Sequence, residues 1–395
     1  MDKSISVVVP TYNRAHFLPE CLDALLAQTV PVTEIIVVND GSTDNTREVL
    51  RPYRDTIVYL EKTNGGKASA LNAGLARVSG AFVWFFDDDD LPLPDALRIH
   101  LDAFAGTPEA GFTYSGYHLG ETDGKTGQLR VVETFLPFQG TSRSLFLSFA
   151  LGASGPGVGF MLQQGMLVRK SCLDAVGPFD EKGSEDRDMN LRLCRAFRGI
   201  PINTPTFIIR RHTGVRGRAD APYSFSEREK KLWEADQIVF RKLYQETPLN
   251  AFLEDPGFEE RDPNWKGVAL VNRAQIMARR ELPEYAVADL SELRNRVLCG
   301  NINLDTHIVH AALTLEKIFC EAGQPDRARL VRTTLGDLLS GAASPGRLRG
   351  YVARYYYWKG LDAIRSGKPA ATLAALAKLV SILRQWPGVA KKPPA

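Results

Sequence analysis

Ala81-Phe82-Val83-Trp84-Phe85-Phe86-Asp87-Asp88-Asp89-Asp90 decides how this chain of 395 residues is read: a short apolar run ends in four consecutive aspartates. The run has the length of a buried strand. Carboxylates gathered at a strand end repel one another, by about a few kcal/mol per adjacent pair at an effective dielectric near ~20 and before solvent screening. A fold that collects them needs positive charge to offset the repulsion. Hard carboxylate oxygens suit Mg²⁺ or Mn²⁺, ions that commonly share their coordination with substrate phosphates. The plainer alternative is an acidic turn ahead of a helix, because Leu93-Pro94-Asp95-Ala96 has the form of a helix start.

Upstream, strand and helix signals alternate. Ile5 to Val9 reads as a buried strand ended by Pro10, and Leu18, Leu22, Leu25 and Leu26 then fall on one helical face. A second strand, Glu34 to Val38, runs into the turn cluster Asn39-Asp40-Gly41-Ser42, after which Ser42 to Asn45 can cap a helix over Thr46 to Arg51. Ile57 to Leu60 is a third strand and Lys67 to Val78 a helix. Such alternation predicts a mostly parallel sheet covered by helices, with ligands bound beyond the carboxyl ends of its strands. Thr11-Tyr12-Asn13-Arg14, Asn39-Asp40 and Asp87 to Asp90 all sit at those ends, so they should share one crevice. The connection from Pro10 to Leu18 contains no glycine, which excludes the dinucleotide fingerprint. Gly65-Gly66-Lys67 lacks the first glycine and the Ser/Thr of a Walker loop, since Glu61 and Ala68 stand there.

Length alone predicts two or three domains. A 44% hydrophobic and 24% charged composition is that of an ordinary globular chain, and a net charge of +3 gives no reason to expect nucleic acid as a partner. Five scattered cysteines without a C-x-x-C predict reduced thiols in a cytoplasmic protein. Met1 to Ser4 leads directly into a strand pattern, so no signal peptide is expected, and no apolar stretch reaches the length of a membrane span.

From Gly111 to Gly165 the pattern loosens into strands, turns and glycine-rich loop. Order returns with Met166 to Arg169 and a helix from Glu185 to Arg198, stopped by Gly199. Phe207 to Ile209 reads as a strand followed by Arg210, Arg211 and His212. Beyond residue 225 amphipathic helices take over: Val268 to Arg280, Glu284 to Val297, Thr306 to Ala322, Pro325 to Leu339, and a further pair up to Trp386. Tyr285 to Leu290 and Gly323 to Arg329 loosely match a tetratricopeptide-type repeat, against a plain helical appendage. The expected division is a domain over 1–225 and a helical, repeat-like domain over 226–395.

Five segments in order resemble the inverting glycosyltransferases of family two. They are Ser6-Val7-Val8-Val9-Pro10-Thr11-Tyr12-Asn13-Arg14, Ile35 to Asp44, Asn64 to Gly74, Phe86 to Asp90 with Pro94-Asp95, and Gly177-Pro178-Phe179-Asp180 followed by Glu185-Asp186. The resemblance covers about residues 4 to 215 and implies an α/β, A-type glycosyltransferase fold, Rossmann-like, ahead of the all-α region. It implies a nucleoside-diphosphate sugar as donor, with a UDP-sugar first in line. A hydroxyl acceptor on a glycan, a lipid-linked glycan or a protein follows, in the assembly of surface polysaccharide.

The same resemblance distributes the roles. Asp87 and Asp89 match a D-x-D pair holding Mn²⁺ or Mg²⁺, with His212 as a third contact to metal or phosphate. Pro10, Thr11, Tyr12, Asn13, Arg14, Asp40, Lys67, Asp87 and Asp88 fall in the nucleotide-sugar site, Tyr12 and Asp40 nearest the base. Asp90 would bond the loop, and Arg210, Arg211, Arg216 and Arg218 would neutralise the diphosphate. An acceptor hydroxyl needs a base to take its proton, and Asp186 matches that position, with Glu185 and Asp188 as the alternatives. As a first-turn acid, Asp186 would equally offset a helix dipole, worth about 0.3–1 kcal/mol. His307 and His310 have helical spacing but no third zinc ligand nearby. The C-terminal helices could dimerise, and the stripe Leu373, Leu376, Val380, Leu383 and Trp386 suits core packing or peripheral contact with the inner face of a membrane. Two other functions stay open: a nucleotidyltransferase, or a scaffold whose helices bind partners.

Overall fold

A computed structural model of the chain describes residues 2–122, 128–137, 142–152, 158–159, 161–211, 216–218, 221–223, 227–254 and 257–299, with single positions 302, 308, 313, 331, 352 and 377. Two compact units divide at residue 246. The boundary drawn from sequence at 225 therefore precedes the last helix of the first unit. Expected helices beyond residue 300, His212, His307, His310 and the Leu373 to Trp386 stripe lie outside the described residues, apart from those single positions.

The first unit runs β1 (Ile5–Thr11), α1 (Leu18–Leu26), β2 (Glu34–Asn39), α2 (Thr46–Val49), β3 (Val58–Glu61), α3 (Lys67–Leu75), β4 (Phe82–Phe85), β5 (Leu91–Pro92), α4 (Ala96–Gly106), β6 (Phe112–Thr122) and β7 (Leu129–Pro137). It continues with α5 (Ser142–Leu151), β8 (Val158–Gly159), β9 (Met166–Arg169), α6 (Lys170–Val176), α7 (Glu185–Ala196), β10 (Gly199–Arg211), β11 (Arg216–Arg218), β12 (Ala221–Tyr223) and α8 (Arg228–Glu246). The main sheet has the order β3-β2-β1-β4-β9-β6-β10-β5.

Its first four strands are parallel, as the alternation predicts. The sheet is nonetheless mixed. β9 inserts antiparallel between β4 and β6, and β5 pairs antiparallel with β10. An antiparallel strand places its amino end beside a neighbour's carboxyl end. Residues just before β9, and those ending β10, are thus delivered to the tip of β4.

β1 and β4 are buried along their whole length and β2 from Ile35 onward, so both faces carry Val, Ile and aromatic side chains. Helices cover them. In α1 the inward face is Leu18, Cys21, Leu22 and Leu25, while Leu26 is exposed; the expected leucine stripe is a cysteine out of register. Gly74 lets α3 lie close on the sheet: a β-carbon there would stand 2.4 Å from Val8 Cγ1. Val8 is branched and locked in the core, so this overpacking would exceed the roughly 1 kcal/mol of helix propensity that alanine brings.

One polar network interrupts the core. His100 of α4 is fully buried, its ring nitrogens 2.8 Å from Thr113 Oγ1 and 3.4 Å from Thr206 Oγ1, and Ser115 Oγ lies 2.6 Å from Thr206 Oγ1. Burial pushes the imidazole down to about 3. An unfolded histidine titrates near ~6.5, so the unfolded chain binds the extra proton over that window, and acid favours unfolding. Stability should be intact above that value and fall by about 1.4 kcal/mol per pH unit below it, by about 5 kcal/mol at pH ~3. Urea unfolding of the chain and of His100→Gln at each pH isolates this slope, which the variant should lack.

The second unit contains α9 (Phe258–Arg261), α10 (Trp265–Arg279) and α11 (Pro283–Leu298). α10 and α11 match the first expected helix pair. Glu281 takes the left-handed conformation (φ 54°) in the tight link between them. Arg273 of α10 grips the buried Asp289 of α11 with two bonds, 2.6 and 3.0 Å, which fixes their register. Cys21, Cys172, Cys194 and Cys299 are free thiols. No helix among the described residues is long and apolar enough to cross a membrane.

Candidate functional site

The register brings Thr11 of β1 beside Asn39 of β2, and Phe86 N–H donates to Val8 O at 3.0 Å. The three polar clusters therefore emerge side by side, as expected from the sequence. Asp87, Asp89 and Asp90 offer carboxylate oxygens that all lie within 4.8 Å of one another. Asp88, Asp89 and Asp90 are buried, Asp87 half-buried.

Protein cations answer part of this charge. Arg14 Nη1 lies 3.3 Å from Asp88 Oδ1 and contacts Asp89 Oδ2 directly. Lys67, the first residue of α3, places Nζ 2.9 Å from Asp87 Oδ1, 3.6 Å from Asp186 Oδ2 and 3.7 Å from Glu185 Oε1. The acidic tip of β4 and the first turn of α7 are thereby neighbours, a juxtaposition that the 98 residues between Asp87 and Asp186 hide in the sequence.

Charge balance shows in the titration of the acids. Burial pushes Asp88 up to about 7, against the pull of Arg14. Asp90 is driven up by burial and by Asp89 and Asp87. Burial likewise raises Asp186 to about 7, with Lys67 opposing and Glu185 and Asp87 adding. Lys67 pays for burial too, but Asp186, Asp87 and Glu185 hold it well above the ordinary lysine range. Asp88 Oδ2 and Asp186 Oδ1 are buried without a hydrogen-bond partner. Six carboxyl groups thus face Arg14 and Lys67, and the surplus fits a site for an added divalent cation. Asp87, Asp89 and Asp90 have the oxygen donors for Mn²⁺ or Mg²⁺.

One contributor carries no sequence signal of its own. Gln164, placed by the antiparallel entry of β9, donates Nε2–H to Asp87 Oδ2 at 2.6 Å and to Asp90 Oδ2 at 3.0 Å. The buried Trp84 indole N–H fixes it by donating to its carbonyl at 2.7 Å. Asp90 Oδ1 accepts the Arg210 backbone N–H at 3.0 Å, so Asp90 does bond a strand end while also facing the cluster.

Other expected residues have local employment. Asp40 accepts from Gly65 N–H at 3.0 Å, Gly66 N–H at 2.7 Å and Lys62 Nζ at 2.7 Å, and so shapes the loop that starts α3. Asn13, at φ 53°, accepts from Thr43 N–H at 2.7 Å and ties the β1 loop to the β2 loop. Pro10 and Thr11 are buried and Tyr12 half-buried beside them. Arg210 is not free for a diphosphate: its guanidinium contacts Glu20, lies 3.2 Å from Thr122 Oγ1 and sits over the Phe17 ring. Arg211 pairs with Glu121 at 2.5 Å. The side chains of Arg216 and Arg218 lie outside the described residues. Asp188 is buried and engaged elsewhere, held by Arg192 Nη2 at 2.6 Å and Lys242 at 3.4 Å. That leaves Glu185 as the remaining alternative to Asp186.

A strand-tip carboxylate cluster thus stands beside a helix-borne acid, on a mixed sheet whose first half is parallel. The sequence model of the family described as "Glycosyl transferase family 2" matches residues 6–176. An uncharacterized glycosyltransferase of Nostoc sp. is 31% identical over 233 residues, 58% of this chain and 70% of that protein. The chain belongs to glycosyltransferase family 2, and its first unit has the A-type, Rossmann-like fold of that family. A chondroitin synthase of Pasteurella multocida is 39% identical over 103 residues, 25% of this chain and 11% of the synthase. An uncharacterized glycosyltransferase of Rickettsia prowazekii is 38% identical over 116 residues, and the match spans only 36% of its length. Among solved structures, S. aureus TarS in complex with UDP-GlcNAc aligns with a TM-score of 0.49 at 18% identity, over 84% of this chain and 91% of that one.

Proposed function

We propose that the chain moves a sugar from a UDP-sugar to a hydroxyl acceptor with inversion, in the assembly of a surface glycan on the cytoplasmic side of the membrane. The observation that supports this most is the bridge made by Lys67 between Asp87 and Asp186. It brings the diphosphate end and the acceptor end of an in-line displacement within one residue's reach.

Asp186 takes the proton from the acceptor hydroxyl as the oxygen attacks the anomeric carbon. Its poise near 7 makes it a far better base than an ordinary carboxylate while leaving about half of it ionised at neutral pH. Lys67 holds Asp186 in place and lends positive charge to the phosphates. Tyr12 and the β1–β2 loops form the base pocket, with Thr11, Asn13, Arg14 and Asp88 along the nucleotide. Asp87, Asp89 and Asp90 would hold Mn²⁺ or Mg²⁺, with His212 as a further contact. Such an ion supplies Lewis-acid stabilisation of the charge that grows on the departing nucleoside diphosphate.

TarS with UDP-GlcNAc and a mannosyltransferase of Pyrobaculum calidifontis with GDP-Man and Mn²⁺ supply the donors to try. A thermal-shift screen of UDP- and GDP-sugars with Mn²⁺ tests the reading. One UDP-sugar should raise the melting temperature selectively, because a ligand at ~100 times its Kd adds about 2.7 kcal/mol. Equal indifference to every nucleotide sugar, or release of pyrophosphate from a nucleotide substrate, would replace this reading with another.

A further inference from the structure

The segment that bears Asp186 is held from behind by a helix outside the family-matched stretch of 6–176. α8 turns Asp236, Val239 and Lys242 toward it, three residues apart and so near one helical face. Asp236 Oδ1 accepts from Arg187 Nε at 2.8 Å. Lys242 Nζ lies 2.6 Å from Asp180 Oδ2 and 3.4 Å from Asp188 Oδ1. Gly183 packs so closely on α8 that a β-carbon there would stand 2.8 Å from Val239 Cγ2. The held residues, 180, 183, 187 and 188, bracket Asp186 on both sides.

That bracket matters because Asp186 is the second residue of α7, in a turn whose N–H groups have no intrahelical acceptor. Such a turn shifts easily unless its side chains are held. From the front, Lys67 reaches Glu185 and Asp186 themselves, and Arg187 lies over the Phe149 ring; further contacts fix the entrance to the loop and the body of the helix. Asn72 donates to Phe179 O at 3.0 Å and accepts its N–H at 2.8 Å. Arg192 donates to the carbonyls of Val176, Gly177 and Pro178. Between those anchors, α8 supplies ion pairs to the base-bearing turn.

We propose that α8 is a positioning clamp for the acceptor side of the site, with Asp236 and Lys242 acting through Arg187, Asp180 and Asp188 to keep Asp186 at the acidic strand tip. The inference rests on the reading of Asp186 as the base. Ion pairs with partly exposed members add little to global stability, whereas a misplacement of about 1 Å at a reacting group costs about a hundredfold in rate. Loss of the clamp should therefore show in turnover before it shows in folding.

The test uses the full chain and the variants Asp236→Asn and Lys242→Met, with Lys242→Arg as rescue. Lys231→Ala, on the exposed side of α8, is the control. Amide hydrogen exchange is followed over residues 178–190. UDP release from UDP-glucose, UDP-galactose and UDP-N-acetylglucosamine with Mn²⁺ is resolved into kcat and donor KM. Expected are exchange in that segment and kcat each changed by about tenfold, faster and slower respectively, with KM and melting temperature nearly unchanged. Lys242→Arg should restore both, and Lys231→Ala should alter neither. Unchanged exchange overturns the proposal. So does faster exchange with full kcat in a protein that Asp186→Asn inactivates. An Asp186→Asn variant that turns over normally sinks the base reading instead, and the catalytic purpose of the clamp with it.

Discussion

Asp186→Asn should lower turnover by about 10²–10⁴-fold, the range that a positioned base contributes, while leaving donor binding intact. In the unaltered protein the rate should rise with pH and level off above about 7, because Asp186 works only when ionised and burial raises it to about 7. The asparagine variant should lose that rising limb. Its stability should move the other way. A carboxyl raised in the folded state binds its proton there but not in the unfolded chain between pH ~3.8 and ~7. Stability is therefore lost as pH rises through that window, and the full penalty is present above it. Asparagine removes the penalty, so the variant should be more stable at pH ~8 by about 1–3 kcal/mol, the gain being trimmed by the lost attraction to Lys67. Initial rates against pH, paired with urea unfolding at pH 8, check both halves. A variant both inactive and less stable would mean that Asp186 is a structural acid. If Glu185→Gln alone removes the limb, the base is the neighbour.

Much of this site is legible in the sequence because parallel strands carry their ligands at predictable ends. Ile5 to Val9, Glu34 to Val38 and Ala81 to Phe86 announce themselves as strands, and their polar tails must then converge. Lys67, Asp87 and Asp186 do meet. Less legible is whatever the antiparallel half delivers. Gln164 lies in a glycine-rich stretch with no periodicity, and only the insertion of β9 beside β4 carries it to Asp87. Arg210 looks like a phosphate ligand by its basic company, yet a buried guanidinium needs partners, and Glu20, Thr122 and Phe17 supply them. Asp40 reads equally well as a base contact and as a turn former; its carboxylate is spent on Gly65, Gly66 and Lys62. α8 falls where the sequence reading placed a domain boundary, because a charged amphipathic helix does not reveal which unit its buried face joins. Its buried Val239, Phe240 and Leu243 belong to the first.

Asp89→Asn should cost turnover about 10²–10³-fold, as expected where a cation contributing several kcal/mol is lost, and should abolish stabilisation by Mn²⁺. The fold should survive. Arg14 loses its contact with Asp89 but keeps Asp88 at 3.3 Å, and asparagine retains an oxygen to accept from it. Removing one negative charge also relieves Asp88 and Asp90, whose carboxyl groups Asp89 helps to raise. The variant without added metal should accordingly melt no lower than the parent. Thermal shifts titrated with Mn²⁺ in the presence of UDP read this directly: a rise for the parent, reversed by a chelator, and a flat line for Asp89→Asn. Asp88→Asn supplies the contrast, since Asp88 lies outside the three-carboxylate cluster and points one buried oxygen at no partner. It should keep the Mn²⁺ response and lose nucleotide affinity instead. If Asp89→Asn still binds Mn²⁺ and turns over, then Arg14 and Lys67 alone neutralise the strand tip, and the four aspartates serve to hold those two cations against the phosphates.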